Sequence, residues 1–151
     1  MNVGDICTRE VVTVRESDEL TDAAQLMREK HVGLLVVVGP MAAESAFKPI
    51  GVLTDRDIVV AVVARETDPR SLRVGDLMTR QPLVVDETAS VGSASGEMRR
   101  IGVRRMPVIG RSGELVGILS LDDILGSISQ ELFDLAGSIR TEVQIEKALR
   151  P

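Results

Sequence analysis

Two short stretches hold the residue types best suited to binding chemistry. Gly51-Val52-Leu53-Thr54-Asp55-Arg56-Asp57 is matched by Gly117-Ile118-Leu119-Ser120-Leu121-Asp122-Asp123. Each has a glycine, two apolar residues, a hydroxyl residue, two variable residues and an aspartate. Ser/Thr-x-x-Asp at a helix start is a capping box, which satisfies free backbone N–H groups and needs no ligand. The same junction also suits a nucleotide. A helix N-terminus offers N–H groups and a positive dipole end to phosphate. A carboxylate beside it can accept both ribose hydroxyls. Recurrence at two strand-to-helix junctions, each led by a glycine, moves the balance toward the second use.

Other candidates are weaker. His31 is the only histidine and ends an amphipathic helix, a place where histidine is usually structural or solvated. Cys7 and His31 fall short of the roughly four ligands a zinc site needs, so no metal is expected. Asp122-Asp123 is a carboxylate pair, but no nucleophile or oxyanion donor accompanies it, so acid–base catalysis is not expected.

The elements that must position these residues occur twice. Val3–Val14 (VGDICTREVVTV) returns 71 positions later as Val74–Val85 (VGDLMTRQPLVV). Ile50–Ile58 (IGVLTDRDI) returns 66 positions later as Val116–Ile124 (VGILSLDDI), so the first copy carries five extra residues. Two copies do not make a solenoid; they imply halves packed about an approximate two-fold axis, with two related clefts at the seam. Each copy reads as an opening helical turn (Val3–Thr8; Val74–Thr79), a strand (Val11–Val14; Leu83–Val85) and an amphipathic helix. That helix places Leu20, Ala23, Ala24 and Met27, or Val91, Ala94, Met98 and Ile101, on one face. Ser17 or Asp18 is the expected cap of the first. Gly92 and Gly96 weaken the second by about 1 kcal/mol each. A buried strand follows (Leu34–Val38; Met106–Ile109), then a connection, a third strand (Ile50–Leu53; Leu115–Leu119) and a closing helix. The connection is tight at Gly110–Glu114, and at Gly39–Pro49 it reads as a mobile surface loop. The order β-α-β-β-α gives an α+β fold of α/β-type units. The expected organisation is repeat 1 over residues 1–66, repeat 2 over 73–133 and a helical extension over 134–151, with Gly137 a point where that extension could break.

Ile58–Ala64 is apolar on every side of a helix, so it must be covered on every side. A second copy of the chain is the expected cover, which predicts a homodimer; burial in the core of one chain is the alternative.

Composition narrows the function classes. The chain has 151 residues and a net charge of −5, which argues against a general nucleic-acid binder. Phe47 and Phe133 are the only aromatics, too few for base-stacking platforms. The longest apolar run is far short of a membrane span, and the N-terminus lacks the pattern of a secretory signal. Cys7 is the only cysteine, which fits a reducing compartment. A cytoplasmic protein with no nucleic-acid or membrane partner is expected.

With these residues in view, the repeat resembles a tandem pair of CBS (cystathionine-β-synthase) domains, a Bateman module. The resemblance rests on the opening V-x-D-[IL]-[CM]-T, the run Arg104–Ile109 (RRMPVI) and the closing G-x-L-[TS]-x-x-D, doubled and in order over about Val3 to Leu132. It implies two units with pseudo-two-fold symmetry and clefts that take adenosyl compounds: AMP, ADP, ATP, NAD or S-adenosylmethionine. It implies ribose contacts from Asp57 and Asp123, and ribose or phosphate contacts from Thr54 and Ser120. It places adenine near Val12 and Thr13, or near Leu83 and Val84. Each cleft combines the aspartate of one repeat with strands of the other. Asp57 is therefore grouped with Leu83, Val84, Arg104, Arg105, Met106 and Pro107, and Asp123 with Val12, Thr13, Gly33, Leu34 and Leu35. Arg104 and Arg105, with Arg56 nearby, make the Asp57 cleft the expected site for phosphate-bearing ligands. The first copy has Val36 where the second has Pro107, a departure from the family at the Asp123 cleft.

Two readings follow. The first is a non-enzymatic sensor with an adenine nucleotide as regulatory ligand, no required cofactor, and an effector protein that the sequence does not identify. The second is a structural dimerisation module whose clefts are non-functional.

Overall fold

The computed structural model describes residues 1–41 and 46–150. Helix α1 (Val3–Ile6) precedes β1 (Thr13–Arg15), α2 (Leu20–Lys30), β2 (Leu34–Pro40), β3 (Phe47–Thr54) and α3 (Asp55–Ile58). α3 runs on into a π-helical turn, Val59–Val63. The second half gives α4 (Val74–Leu77), β4 (Thr79–Arg80), β5 (Val85–Asp86), α5 (Val91–Ile101), β6 (Arg105–Ile109), β7 (Leu115–Ser120) and α6 (Leu121–Leu149). Between the two repeats lies a short 3-10 turn, Pro69–Ser71, capped by Asp68.

The strands form two sheets, ordered β1-β2-β3-β4 and β5-β6-β7. In each the first strand runs parallel to the second and the second antiparallel to the third. Alternation along the strands sorts the side chains. Leu35, Val37 and Leu53 meet Leu20, Ala23 and Met27 of α2 in one core. Met106, Val108 and Leu119 meet Val91, Ala94 and Met98 of α5 in the other.

The opening turns are exchanged between halves. Val3 lies in the second core, whereas Val74 and Met78 lie in the first. Gly4 N–H donates to Glu87 O at 2.8 Å, and Gly75 N–H donates to Glu16 O at 2.9 Å. Thr8 bridges to Ile118, and Thr79 of β4 pairs with Val52 of β3. The two halves in chain order are therefore not the two packing units. Each core is completed by residues from the other copy, which is how units this small bury enough surface.

Several expectations change. The cap of α2 is Glu19, not Ser17 or Asp18. The Asp18 carboxylate is held instead by Arg15 N–H at 2.7 Å, closing the preceding turn. The strands β1 and β5 begin two residues later than expected. α6 passes through Gly137 without a break, because one glycine costs only about 1 kcal/mol in a helix. The loop expected over Gly39–Pro49 lies partly outside the described residues; its flanks extend β2 to Pro40 and start β3 at Phe47. Burial of Ile58–Ala64 within one chain is overturned. Val62 is buried, but Val59, Val60 and Val63 are 54%, 49% and 67% exposed. The chain offers only one face to pack on, so the rest of the turn points outward.

Candidate ligand-binding clefts

Both Gly-to-Asp stretches form the predicted strand-to-helix junction. Thr54 ends β3 and caps α3: its Oγ1 accepts Asp57 N–H at 3.1 Å, while Asp57 Oδ2 accepts Thr54 N–H at 2.8 Å. Ser120 repeats this at α6. Its Oγ accepts Asp123 N–H at 3.1 Å, and Asp123 Oδ2 accepts Ser120 N–H at 2.7 Å and Ser120 Oγ–H at 2.6 Å. Each carboxylate is thus fixed through Oδ2 by its own helix start. Among the hydrogen bonds of the described residues, Oδ1 of each is left for another donor.

The leading glycines serve the seam rather than a phosphate. A Cβ on Gly51 would come within 3.0 Å of Thr79 O, and one on Gly117 within 3.0 Å of Thr8 O. They let the exchanged segment of the other copy cross the strand. The start of each central strand is also tied to its helix: Asp55 N–H donates to Gly33 O at 3.1 Å, and Leu121 N–H donates to Arg104 O at 2.9 Å.

Asp123 and Ser120 line an open cleft of about 220 Å³ whose other wall comes from repeat 1: Val12, Gly33 and Leu34. Of the residues grouped with Asp123, Thr13 and Leu35 do not line it. Thr13 faces a neighbouring hollow with Arg9 and Glu114, and the Leu35 side chain is buried in the first core. Thr8, Glu10, Val11, His31, Val32, Ile118 and Arg105 also line the cleft. Of these, the sequence placed Arg105 with Asp57, set His31 aside as structural or solvated, and gave no sign of Thr8, Glu10, Val11 or Val32. The Thr8–Ile118 pairing across the seam brings the first of them there, a contact that no local pattern announces. His31 arrives because it caps α2 with φ 55°, where the second copy has Gly102 at φ 77°.

Asp57 stands in different surroundings. With Arg56 it lines a hollow of about 540 Å³ alongside Val60, Ala61, Arg65, Thr67, Leu72, Asp76 and Leu77. The expected grouping of Asp57 with Leu83, Val84, Arg104, Arg105, Met106 and Pro107 is not the arrangement in that hollow. Leu83 packs against the second core, and Met106 belongs to it. Pro107 is fully buried. Arg105 lines the Asp123 cleft, and the Arg104 guanidinium lies 3.9 Å from Asp122 of its own repeat. That pair is well exposed and contributes little. Of the three arginines expected at the Asp57 site, Arg56 lines its hollow, Arg105 lines the Asp123 cleft and Arg104 lies beside Asp122.

The single thiol borders the same region. Burial pushes the Cys7 thiol above its ordinary pKa, the Arg9 charge opposes this, and the carboxylates of Glu87 and Asp123 add to it. Among the described residues, no group of three or more His, Cys, Asp or Glu side chains is placed to hold a metal ion, and no helix is long and apolar enough to cross a membrane.

The CBS domain family matches the chain twice, over residues 3–64 and 74–130. The chain belongs to the CBS domain family. It is a tandem CBS pair, and its fold is that of solved CBS-pair proteins. A structure of a CBS domain protein from Pyrobaculum aerophilum complexed with AMP is similar at TM-score 0.72 and 28% identity, over 82% of this chain and 89% of that one. A hexameric CBS-CP12 protein from bloom-forming cyanobacteria is similar at TM-score 0.72 and 29% identity, over 99% and 88%. Hypoxic response protein 1 of Mycobacterium tuberculosis is 38% identical over 120 residues, 80% of each chain. Other relatives are longer. The CBS pair spans 61% of a Methanopyrus kandleri protein and 22% of an inosine-5'-monophosphate dehydrogenase of Korarchaeum cryptofilum.

Proposed function

We propose that this CBS pair is a non-enzymatic regulatory module that binds an adenosine-containing ligand in the Asp123 cleft. One observation carries the reading. A carboxylate anchored through one oxygen at a helix start faces a cleft whose opposite wall belongs to the other repeat. On this reading Asp123 Oδ1 accepts the ribose hydroxyls, Ser120 supports them, and the adenine lies along the backbone near Val12 and Leu34. Arg105 meets the phosphate, which favours AMP, ADP or ATP over an uncharged adenosyl compound. The AMP complex of the Pyrobaculum relative supports this ligand class. A ligand that spans two repeats prefers one arrangement of them, and that preference is what an effector protein would read. Asp57, with Thr54 and Arg56, forms a second candidate site, whose hollow takes Asp76 and Leu77 from repeat 2.

The same proposal includes a homodimer through the exposed valines Val59, Val60 and Val63, and a reducing, cytoplasmic setting that suits a single half-buried thiol. The exposed valines are also what favours the second reading, a dimerisation module with idle clefts.

Titration with AMP, ATP, NAD and S-adenosylmethionine, followed by melting, separates the two. Ligand at 100 times its Kd stabilises the fold by about 2.7 kcal/mol. Asp123→Ala should weaken binding about tenfold or more, since a hydrogen bond to a charged group contributes roughly 1.5–3 kcal/mol. No shift with any of the four ligands sinks the sensor reading. An unchanged oligomer for Val60→Asp removes that turn from the dimer interface.

A further inference from the structure

Arg9 joins three segments beside the Asp123 cleft, and we propose that it is a positioning residue for ligand binding there. Its Nη1–H donates to Glu87 Oε2 at 3.1 Å and to Val116 O at 3.3 Å. Its Nη2–H donates to Gly4 O at 2.9 Å. These acceptors belong to the segment between β5 and α5, to β7 and to α1. A Cβ on Gly4 would stand 3.2 Å from Arg9 Nη2, so the guanidinium packs closely against the opening turn. The chain neighbours of Arg9, Thr8 and Glu10, both line the Asp123 cleft, and Val11 and Val12 continue that wall. Ile118, two residues beyond Val116, lines it as well. Arg9 itself lines the neighbouring hollow, with Thr13 and Glu114. It therefore holds the wall from behind, fixing where Thr8, Glu10, Val11 and Val12 stand against β7, the strand that ends in Ser120.

The duplicated fold supplies an internal comparison. Arg80 pairs with Glu16 and donates to Gly75 O at 3.3 Å, as Arg9 pairs with Glu87 and donates to Gly4 O. Each arginine thus clamps an exchanged opening turn. Both ion pairs are well exposed, so each contributes little to stability. They differ in what they hold. Neither Arg80 nor its neighbours Thr79 and Gln81 are among the described residues that line the Asp123 cleft. A clamp of little consequence for stability still matters to a ligand. A wall already held in its bound position loses no further freedom when the ligand arrives. The planar guanidinium reaches several acceptors in fixed directions, which an ammonium does not. This inference rests on the nucleotide reading of the Asp123 cleft and adds to it a residue outside the cleft lining.

Calorimetry with AMP on the full chain tests the assignment, read at the site that Asp123→Ala removes. Arg9→Gln should weaken AMP there about fivefold or more, the scale of one hydrogen bond. Arg80→Gln should leave the affinity within about twofold of the parent, and urea unfolding should show similarly small stability losses for both variants. Arg9→Lys keeps the charge but not the fork, and should bind AMP as weakly as Arg9→Gln. Parent-level affinity in Arg9→Gln overturns the proposal, as does an equal loss in Arg80→Gln. Full rescue by Arg9→Lys also overturns it, because charge near the cleft and not a fixed wall would then set the affinity. No AMP binding by the parent, or binding untouched by Asp123→Ala, overturns the nucleotide reading itself and this proposal with it.

Discussion

Gly117 of β7 lies directly against the backbone of Thr8: Ile118 N–H donates to Thr8 O at 2.9 Å, and a Cβ on Gly117 would meet that same oxygen at 3.0 Å. It would also meet Cys7 Sγ at 2.8 Å. Backbone cannot give way as a flexible side chain can, so Gly117→Ala should destabilise the protein by about 1–3 kcal/mol. Urea unfolding measures this, with Gly51→Ala as the symmetric counterpart.

The glycines of α5 should behave in the opposite way. Apart from the helix's own backbone and the neighbouring residues, no heavy atom of the described residues lies within 4 Å of a Cβ placed on Gly92 or Gly96. Gly92→Ala and Gly96→Ala should each stabilise by about 0.5–1 kcal/mol through helix propensity. A rise in the urea midpoint with an unchanged slope is the expected result.

Exchange of the opening turns makes each half dependent on the other. Residues 73–150 alone lack Val3, which is fully buried in the second core. That fragment should be unfolded, or markedly less stable than the full chain. Circular dichroism and a cooperative melt would show it, and addition of residues 1–72 in trans should restore the transition.

The two duties of Asp123 can be separated. Asp123→Asn keeps an oxygen able to accept Ser120 N–H, so stability should fall by no more than about 1 kcal/mol. Its loss of charge should cost nucleotide affinity about tenfold. Calorimetry with AMP beside a melting curve compares the two effects.

The raised pKa of Cys7 predicts slow alkylation at pH 8, because the thiolate is the nucleophile. Burial favours the neutral form, so reactivity should rise only as the pH passes the ordinary thiol range. Urea should remove the protection and bring the rate to that of a free thiol.

Much of the fold was legible from local patterns. The short aliphatic run Leu34–Val38 and the period-3.6 placement of Leu20, Ala23 and Met27 marked a buried strand and an amphipathic helix before any tertiary information, because both signals lie in residue type and spacing alone. Both capping boxes were legible for the same reason: Thr54 with Asp57, and Ser120 with Asp123, are three residues apart and act locally. The cap of α2 was not, because Ser17, Asp18 and Glu19 compete for neighbouring backbone groups and the turn geometry selects among them. Arg105 was assigned to the other cleft for a different reason. Its wall depends on which repeat crosses which strand, and the repeated motif is identical in either case.

The sequence by itself determined that there are two units, what each is made of, and that an aspartate stands at each strand-to-helix junction. These are short-range facts, carried by residue type and interval. Only the tertiary structure decided that Val3 and Val74 exchange cores, that Asp123 faces Val12 and Leu34, and that Val59, Val60, Val63 and the apolar side chains of α6 beyond Ile124 are left bare. Those outcomes depend on contacts between residues far apart in the chain, where the geometry of packing, not the pattern along the strand or helix, sets which surfaces meet.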